Sequence, residues 1–401
     1  MTRPLIIGVT EAGVTALSDN VQARLAEMDV IIAAPRFHDE LPETAEVLDW
    51  PKPFSDIYGL LDQHAQRKVA ILTTGDPMWY GAGASIVRKL GVSGCEVIPA
   101  VSGLQLAASR LGWPLADCEI VSIHGRPVST VKTKLYPRAR ILIIAENSDS
   151  PAAVASLLGA SGYGAARIHV LAHLGGSKEE LFDGLARNWK RTNVPDFHII
   201  GVECPDEMAT PPGAAAPDTS FDNDGKLTKR DVRASALAKL GPFPGAVLWD
   251  IGSGSGAVSV DFLRLAPRGK AYAIDRSEAQ MGYATSNGMR HGVAGLQQVV
   301  GDVLERLAEL PVPDAVFIGG GLSDEVIAKA VDQLRPGGVV VAHAVTLESE
   351  AVLLAAWQQH GGDLTRIGIN HADPVGGFHG WRPLMPVTQW HWRKDNPEVQ
   401  A

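Results

Sequence analysis

Four residues in the second half of the chain have types and a spacing that could hold a ligand. They are an acid followed by three glycines at alternate positions: Asp250, Gly252, Gly254 and Gly256. The residues just before the acid are of buried-strand type, and a strand that ends in such glycines can turn sharply and bring its backbone close to a ligand. Nineteen residues beyond the last glycine, the next strand ends in Asp275, where an acid can bind both hydroxyls of a ribose. The pattern favours a nucleoside-type cofactor over the alternative, a glycine turn in an ordinary α/β domain.

The spacing of these glycines indicates which cofactor is expected. A pyrophosphate-binding loop has the pattern Gly-x-Gly-x-x-Gly, whereas here the third glycine comes one position earlier. With Asp250 in front, the pattern resembles motif I of the class I S-adenosylmethionine (SAM) methyltransferases, which have a Rossmann-like fold with a seven-stranded sheet. The resemblance implies that SAM is bound by Thr228, Asp250, Gly252, Ser253, Gly254, Ser255, Gly256, Asp275, Asp302 and Val303.

The elements that must position these residues alternate between helix and strand, which predicts an α/β fold. A helix is predicted over Ala257–Leu265, and strands are predicted over Lys270–Ile274, Gln297–Val300, Asp314–Ile318, Gly338–His343, Asp363–Ile369 and Leu384–Trp392. Together with the strand before Asp250, these complete the seven strands that the resemblance implies.

A second candidate site lies in the first half of the chain, where Gly75-Asp76-Pro77 closely follows a predicted strand. The elements predicted around it are strands at Leu5–Val9, Val30–Ala34 and Val69–Thr73 and helices at Leu17–Met28 and Ile57–Gln66, with a loop rich in proline and acids before the second helix. Ligands of such parallel sheets bind at the carboxyl ends of the strands, and this motif falls at that edge.

This second motif, with its aromatic residues and Gly81-Ala-Gly83, resembles the signature of the tetrapyrrole (uroporphyrinogen III/precorrin) methylases. Ile7–Gly13, Val97–Gly103 and Ser122–Arg126 match further parts of the signature, so the resemblance covers about residues 4–203. It implies two lobes with SAM folded between them, lined by Gly8, Gly75, Asp76, Pro77, Val101 and Ser102. The family often has a second hydroxyl residue where this chain has Gly103. From the residues alone, Asp76 could instead cap a turn before a proline.

The second half also resembles the decarboxylating methylase of the cobalamin pathway, through Leu227–Arg233, Leu248–Gly256 and Phe317–Gly321. The order of the two halves is similar to that of the fused precorrin-6Y C5,15-methyltransferase (decarboxylating) family. This resemblance implies two SAM sites and a polycarboxylate tetrapyrrole substrate, precorrin-6B. The first half would methylate C5, and the second would methylate C15 and remove the carboxylate of the C12 acetate, giving precorrin-8. It also implies a homo-oligomer.

Basic residues cluster in two places, as binding of a polycarboxylate would require. Between Ile120 and Ala145 there are five cations and no acid, and a second group lies near the start of the second half; the cations are Arg126, Lys132, Lys134, Arg138 and Arg140, then Lys226, Lys229, Arg230 and Arg233. Each could equally be a solvated surface residue. The candidate catalytic residues are Asp76, Arg126 and His371, with His343 and Asp373 expected beside His371 in loops at the cofactor end of the sheet.

Composition narrows the class of protein. The 401 residues predict domains at 1–203 (lobes about 1–115 and 116–203) and 223–401, joined by a linker at 204–222 that is rich in proline. A net charge of −9 argues against nucleic acid as a partner, and three scattered cysteines predict reduced thiols with no metal site. With no secretion signal and no apolar run long enough to span a bilayer, a cytoplasmic protein is expected.

Two other classes of function stay open at this point. One is a SAM methyltransferase with another substrate, fused to a tetrapyrrole-binding domain that does not itself catalyse. The other is a nucleic-acid methylase, which the acidic charge makes unfavourable. Amino-group methylases also carry an Asn/Asp-Pro-Pro-aromatic clamp where this chain has Ile318–Gly321, and we expect these glycines to leave room for a bulky flat ring.

Overall fold

The computed structural model describes residues 2–206 and 215–396. The chain divides into two compact units, residues 1–210 and 211–401. Within the described ranges, none of the helices combines the length and the apolar composition that crossing a membrane requires.

Lobe 1 of the first unit is built on five parallel strands in the order β3-β2-β4-β1-β5. The strands are β1 (Leu5–Val9), β2 (Val30–Ala33), β3 (Glu46–Asp49), β4 (Val69–Thr74) and β5 (Glu96–Ile98), and the helices are α1 (Asp19–Ala26), α2 (Ile57–Gln63), α3 (Ala82–Leu90) and α4 (Gly103–Leu111). Strand β3 lies where a loop is predicted. No residue of this edge strand is fully buried, so its sequence has no apolar run to indicate it.

Lobe 2 of the first unit is a mixed sheet in the order β6-β7-β10-β8-β9. Its elements are β6 (Cys118–Ser122), β7 (Arg140–Ile144), α5 (Ser150–Ala160), β8 (Arg167–Ala172), β9 (Glu180–Leu185) and β10 (His198–Glu203). Helix α4 joins the lobes, because its buried residues Leu104 and Ala107 pack in one cluster with Leu142 and Leu171 of the lobe 2 sheet. The carboxyl ends of the lobe 1 strands therefore face residues of lobe 2 across a shared space.

The second unit contains the seven-stranded sheet that the sequence predicts, in the order β13-β12-β11-β14-β15-β19-β16. The strands are β11 (Val247–Ile251), β12 (Lys270–Asp275), β13 (Leu296–Val300), β14 (Ala315–Ile318), β15 (Val339–Ala344), β16 (Asp363–Ile367) and, after the hairpin strands β17 (Asn370–Val375) and β18 (Phe378–Pro383), β19 (Val387–Arg393). The helices are α6 (Arg230–Leu240), α7 (Ala257–Leu265), α8 (Glu278–His291), α9 (Val303–Leu307), α10 (Asp324–Gln333) and α11 (Leu347–His360). The predicted fold class, with a Rossmann-like second half, is confirmed.

Burial explains why these strands are recognisable in the sequence. Strands β11, β14 and β15 lie inside the sheet and consist almost entirely of buried residues. A parallel strand covered by helices on both faces has a continuous apolar sequence. Strand β19 is the one antiparallel member of this sheet, and it pairs with β15 on one side and β16 on the other.

The predicted linker at 204–222 is corrected at both ends. Cys204 is buried in the core of lobe 2. Ala215, Ala216 and Phe221 are buried in the core of the second unit, so this part of the segment is packed chain rather than a free linker. Composition is misleading here because alanine and proline are as common in packed irregular segments as in linkers. Residues 207–214 of the predicted linker lie outside the described residues.

Candidate functional site

The three glycines after β11 form a tight loop that requires glycine. Gly252, Gly254 and Gly256 have φ of 64°, 55° and 75°, which side chains rarely adopt. A Cβ on Gly252 would lie 2.5 Å from the backbone of Gly320, and one on Gly256 would lie 2.8 Å from the Cβ of Ala284. The underside of the loop therefore packs tightly against Gly320 and Ala284, while no side chain of the three glycines covers its backbone at the carboxyl edge of the sheet. Such a bare backbone cradle fits a nucleoside cofactor.

Asp250 lies below this loop and holds it in place. Its Oδ2 accepts hydrogen bonds from the hydroxyls of Ser253 (2.8 Å) and Ser259 (2.6 Å) and from the Ser259 amide (3.1 Å). The side chain is fully buried, and burial raises the pKa of its carboxyl from 3.8 to about 6. Its Oδ1 is buried without a hydrogen-bond partner among the described residues.

The other two predicted acids are also tied to backbone at this edge of the sheet. Asp275 accepts the Gly254 amide at Oδ2 and the Ser277 amide at Oδ1, each at 3.0 Å. Asp302 caps α9 by accepting the Leu304 amide at 3.0 Å, and its hydrogen bond to the Arg276 guanidinium lowers the pKa of its carboxyl. Both carboxylates therefore lie at the ends of neighbouring strands, as the sequence predicts for groups around a ribose and an adenine.

The remaining predicted residues of this site lie before α6, in the glycine loop and at the start of α9. The Thr228 carbonyl accepts a hydrogen bond from Arg233, and Val303 is buried at the start of α9. Ser255 is buried, and its carbonyl accepts from the Asn287 side chain at 2.9 Å. Asn287 was not predicted, although a fully buried asparagine within a helix needs partners. It bonds both the amide and the carbonyl of Asp222 and so ties the glycine loop to that segment.

The glycines after β14 serve mainly to allow close packing. A Cβ on Gly319 would lie 2.9 Å from the Phe317 ring, and Gly320 is the residue against which Gly252 packs. Only Gly321 faces open space, with a φ of 67°. The sequence predicts that all of these glycines leave space for a flat ring. Only Gly321 does so, because the Phe317 ring lies against Gly319 and the backbone of Gly252 lies against Gly320.

The sequence suggested that Arg233 could hold substrate carboxylates, but the structure excludes this role. It is fully buried and pairs with Asp261 at 2.6 Å and with Asp218 at 3.1 Å. Its guanidinium also lies 4.8 Å from the centre of the Phe221 ring. Arg230 donates to the Ala215 carbonyl at 3.0 Å. These arginines fold the residues before β11 onto the sheet, and their spacing reflects packing of α6.

The histidines predicted at the cofactor end of the seven-stranded sheet are not in loops. His343 lies within β15, where burial lowers the pKa of its imidazole to about 4, and it bonds the Gln389 side chain at 2.8 Å. His371 is exposed in β17, and Asp373 of the same strand pairs with Arg382 at 3.0 Å. Strands β15 and β16 both run antiparallel to β19, so β16 ends at the cofactor edge and the β17–β18 hairpin leaves from that edge. His371 is therefore at the expected end of the sheet, but on an exposed arm.

The first unit has a cavity of about 580 Å³ between its lobes. This inter-lobe cavity is lined by, among others, Gly75, Asp76, Val101 and Ser102 from lobe 1 and Glu146 and His173 from lobe 2. Its volume is in the range of small-molecule sites. Four of the six residues predicted to hold SAM in this half therefore share one wall.

The other two predicted residues, Gly8 and Pro77, lie behind that wall. A Cβ on Gly8 would come within 2.6 Å of the Gly75 carbonyl and 2.7 Å of the Ala100 Cβ. Pro77 is buried, and a Cβ on Gly83 would lie 2.6 Å from its side chain. Both residues shape the loop that lines the cavity rather than lining it themselves.

The two polar predicted residues of the cavity wall also have local roles. Asp76 Oδ1 accepts the Met78 amide at 2.7 Å, which is the turn-capping bond that an Asp-Pro sequence favours. Ser102 caps α4 by accepting the Gln105 amide at 3.3 Å, while its own amide donates to the Gln105 side chain. The hydroxyl is thus engaged, and Gly103 and Leu104 at the start of α4 line the cavity beside it.

The basic segment of lobe 2 does not surround the cavity. Lys134 pairs with Glu119, Arg138 with Asp206 and Arg140 with Glu203, at 2.5, 3.2 and 3.9 Å. Arg126 is exposed in the turn after β6, outside the cavity lining, and the described residues offer it no acidic partner. The neighbouring His124 lines the cavity in its place, 3.5 Å from Glu146.

Comparison with known proteins shows the family. The family of tetrapyrrole (corrin/porphyrin) methylases matches residues 10–189, and a precorrin methyltransferase domain matches residues 218–394. A precorrin-6Y C(5,15)-methyltransferase [decarboxylating] from Sinorhizobium is 39% identical over 97% of this chain and 96% of its own length. Its counterpart from Mycobacterium tuberculosis is 35% identical over 96% of this chain and 98% of its own length.

The chain belongs to the precorrin-6Y C5,15-methyltransferase (decarboxylating) family. It is a SAM-dependent methyltransferase of cobalamin biosynthesis in which methylation accompanies decarboxylation. The resemblance predicted from the motifs is confirmed, since both halves match in the predicted order.

For this member of the precorrin-6Y methyltransferase family, the sequence missed several residues of the inter-lobe cavity. Glu11, His124, Glu146 and His173 contribute its acidic and basic lining. Glu11 directly follows β1, a position that could have indicated it, since ligands meet the carboxyl ends of parallel strands. Glu146 and His173 follow strands of a mixed sheet, where no such rule applies, and only the packing of the two lobes brings them to the cavity.

Proposed function

We propose that this chain carries two SAM sites and methylates precorrin-6B at both C5 and C15, with loss of the C12 acetate carboxylate, to give precorrin-8. The observation that carries the proposal is the presence, in one chain, of a glycine cradle at one sheet edge and a cavity between two tetrapyrrole-methylase lobes. Cytoplasm is the compartment in which we place the reaction.

Methylation at C15 and decarboxylation are assigned to the second unit. A probable cobalt-precorrin-6B C(15)-methyltransferase (decarboxylating) from Pyrobaculum aerophilum is 34% identical over 40% of this chain, which is 85% of its own length. That protein is therefore the size of a single unit. The precorrin methyltransferase domain over residues 218–394 supports placing its reaction in the second unit. Methylation at C5 then falls to the first unit, which matches the tetrapyrrole methylases.

The chain's own residues supply orientation and electrostatics for this chemistry. Bound SAM supplies an electrophilic methyl group at each site. In the second unit the bare loop at Gly252, Gly254 and Gly256 would hold it, with Asp275 and Asp302 at its edge; in the first unit the wall of Gly75, Asp76, Val101 and Ser102 would do so. When the acetate carboxylate leaves as carbon dioxide, the electrons of the broken carbon–carbon bond pass into the conjugated macrocycle, and the remaining acetate carbon takes up a proton. The protein therefore has to place the carboxylate in an apolar setting and give a proton donor access to that carbon.

The proposal is tested with full-length variants that block one site each. Gly252→Val places a side chain against Gly320, and Gly75→Val places one at the cavity wall, at a residue with φ of 68°. With precorrin-6B and SAM, the wild type should add two methyl groups and lose one carbon dioxide by product mass. Gly75→Val should add one methyl and still lose carbon dioxide, whereas Gly252→Val should lose none. Decarboxylation by Gly252→Val, or two methylations by Gly75→Val, would refute the division of labour.

We also propose that the chain self-associates through the β17–β18 hairpin, defined by residues 370–383. Its large apolar side chains Val375, Phe378 and Trp381 are exposed, Phe378 by 81%. Exposed apolar groups this concentrated are typical of an interface, and a two-stranded ribbon offers two free edges for pairing. Sedimentation velocity measurements on hairpin variants test this proposal.

A further inference from the structure

Four carboxylates line the inter-lobe cavity within the described residues, and three of them are tied to backbone amides. Asp76 accepts the Met78 amide, and Asp196 accepts the Ser148 amide at 2.9 Å. Glu146 accepts the amide of Gly125. Each of these bonds closes a turn or fixes a loop. Their local structural role accounts for their presence.

Glu11 differs from the other three because only side chains hold it. Its Oε1 lies 2.8 Å from Nε of Arg36, and its Oε2 lies 3.4 Å from Nδ1 of His173. The side chain is only 12% exposed. Oε1 is buried and lacks an aligned hydrogen-bond donor among the described residues. Oε1 is nevertheless occupied by the ion pair with Arg36, whereas Oε2 of this cavity-lining carboxylate has one long contact, with His173.

Residues of both lobes fix the position of this carboxylate. The Arg36 guanidinium lies 4.5 Å from the centre of the Phe37 ring and 5.3 Å from that of Phe197, and it donates to the Thr74 hydroxyl. His173 has a left-handed backbone with φ of 48°, and its amide donates to the Phe197 carbonyl at 3.1 Å. This strained conformation directs the imidazole toward Glu11, and strain of this kind is common at functional sites.

The lobes also approach each other closely at this point. A Cβ on Gly176 would lie 3.0 Å from the Cβ of Glu11, so lobe 2 backbone packs directly against the glutamate. Arg36 follows β2, Glu11 follows β1 and Thr74 ends β4, which places the cluster at the carboxyl edge of the lobe 1 sheet. A ligand in the inter-lobe cavity would therefore meet Glu11 from the edge where parallel sheets bind ligands.

Methylation of a meso carbon requires a group that accepts a proton. The ring carbon uses a π electron pair to form the new carbon–carbon bond, while the sulfur of SAM keeps the electron pair of the broken carbon–sulfur bond. The ring carbon then carries both a methyl group and its original hydrogen. That hydrogen must leave as a proton, so that the electrons of the carbon–hydrogen bond restore the conjugation of the macrocycle. A positioned general base accelerates such a step by about 10²- to 10⁴-fold.

We propose that Glu11 is the base that accepts this proton in the first unit, with Arg36 and His173 as the residues that position its carboxylate. The inference rests on the proposed C5 methylation by that unit and adds to it the group that completes the substitution.

The test uses the full-length chain with Glu11→Gln, which keeps the shape of the side chain and its bond to His173 but removes its basicity. Glu27→Gln, which alters an exposed pair with Lys68 in the same lobe, is the matched control. Methylation at C5 should slow by about 10²-fold or more in Glu11→Gln, and Glu11→Asp should recover part of it. The affinity for S-adenosylhomocysteine, measured by calorimetry, should stay within about threefold of wild type, since the base acts on the macrocycle.

A second readout separates proton removal from a structural role. With precorrin-6B deuterated at C5, the C5 methylation by Glu11→Gln should show a primary kinetic isotope effect larger than that of the wild type, because carbon–hydrogen cleavage becomes limiting. An unchanged rate in Glu11→Gln, or an equal loss of rate and of S-adenosylhomocysteine affinity with no isotope effect, would overturn the proposal.

C15 methylation and decarboxylation by the second unit provide an internal reference in the same reaction. If both continue in Glu11→Gln while its C5 methylation fails, the base role stands. If the wild type itself adds no methyl group at C5, the proposed function of the first unit is wrong, and the role of Glu11 falls with it.

Discussion

At the scale of single residues, Asp250 combines burial, charge and an unpaired oxygen. Three hydrogen bonds to its Oδ2 fix the glycine loop, while burial raises the pKa of its carboxyl to about 6. The ionised form is therefore less favourable in the folded protein than in the unfolded chain.

The pH dependence of stability tests this account of Asp250. Its folded pKa lies above its ordinary value, so the folded state binds the proton more tightly and stability is lost as pH rises from about 4 to 6. Asp250→Asn cannot ionise and should lose less stability over that interval, by on the order of a few kcal/mol. The measurement is the unfolding temperature of the second unit against pH, without ligand. Parallel curves for variant and wild type would contradict the raised pKa.

The residue scale also shows where sequence reasoning stops. The glycine loop could be predicted because a positive φ and close backbone approach leave only glycine, as Gly252 and Gly256 illustrate. Charged residues carry no such constraint. Arg233 looked like a substrate ligand from its spacing, yet it is fully buried between Asp261 and Asp218. A basic cluster in a sequence does not reveal which of its members pair with acids from distant segments.

At the scale of elements, strands β11, β14 and β15 of the second unit were the most readily predicted because nearly all of their residues are buried. The strands that the sequence missed have little burial. Strand β3 in lobe 1 has no fully buried residue, and the residues of β17 and β18 are mostly exposed and interrupted by proline and glycine. The sequence therefore predicts loops around His371 and Asp373 instead of the hairpin. Backbone pairing between its strands, rather than a hydrophobic pattern, defines it.

The role of the hairpin in self-association gives a prediction at this scale. Replacing Phe378 and Trp381 together by serine should shift the chain to a smaller sedimenting species, because it removes two large apolar groups from the proposed interface. At equal concentration, the unfolding temperature of the double variant should fall only by the amount that association stabilises the wild type. Val92→Ser, at an equally exposed apolar residue of the first unit, is the control. Unchanged sedimentation of the double variant would argue against this interface.

At the scale of the whole molecule, the two proposed SAM sites are built in different ways. The second unit offers a backbone cradle at one edge of a seven-stranded sheet, whereas the first offers a cavity between two sheets. The site of the second unit could be predicted from three glycines and two acids. The prediction of the cavity in the first unit depended on a family resemblance. The lobe 2 residues that line this cavity, including His124, Glu146 and His173, are brought together by tertiary packing and have no local sequence pattern.

The number of SAM sites is the most direct test of this account. Calorimetric titration of the full-length chain with S-adenosylhomocysteine should give two sites per chain. Gly252→Val and Gly75→Val should each remove one site and leave the other, since each substitution fills a different unit. The double variant should bind none. A single site in the wild type, or a stoichiometry that either substitution leaves unchanged, would contradict the account of two independent sites.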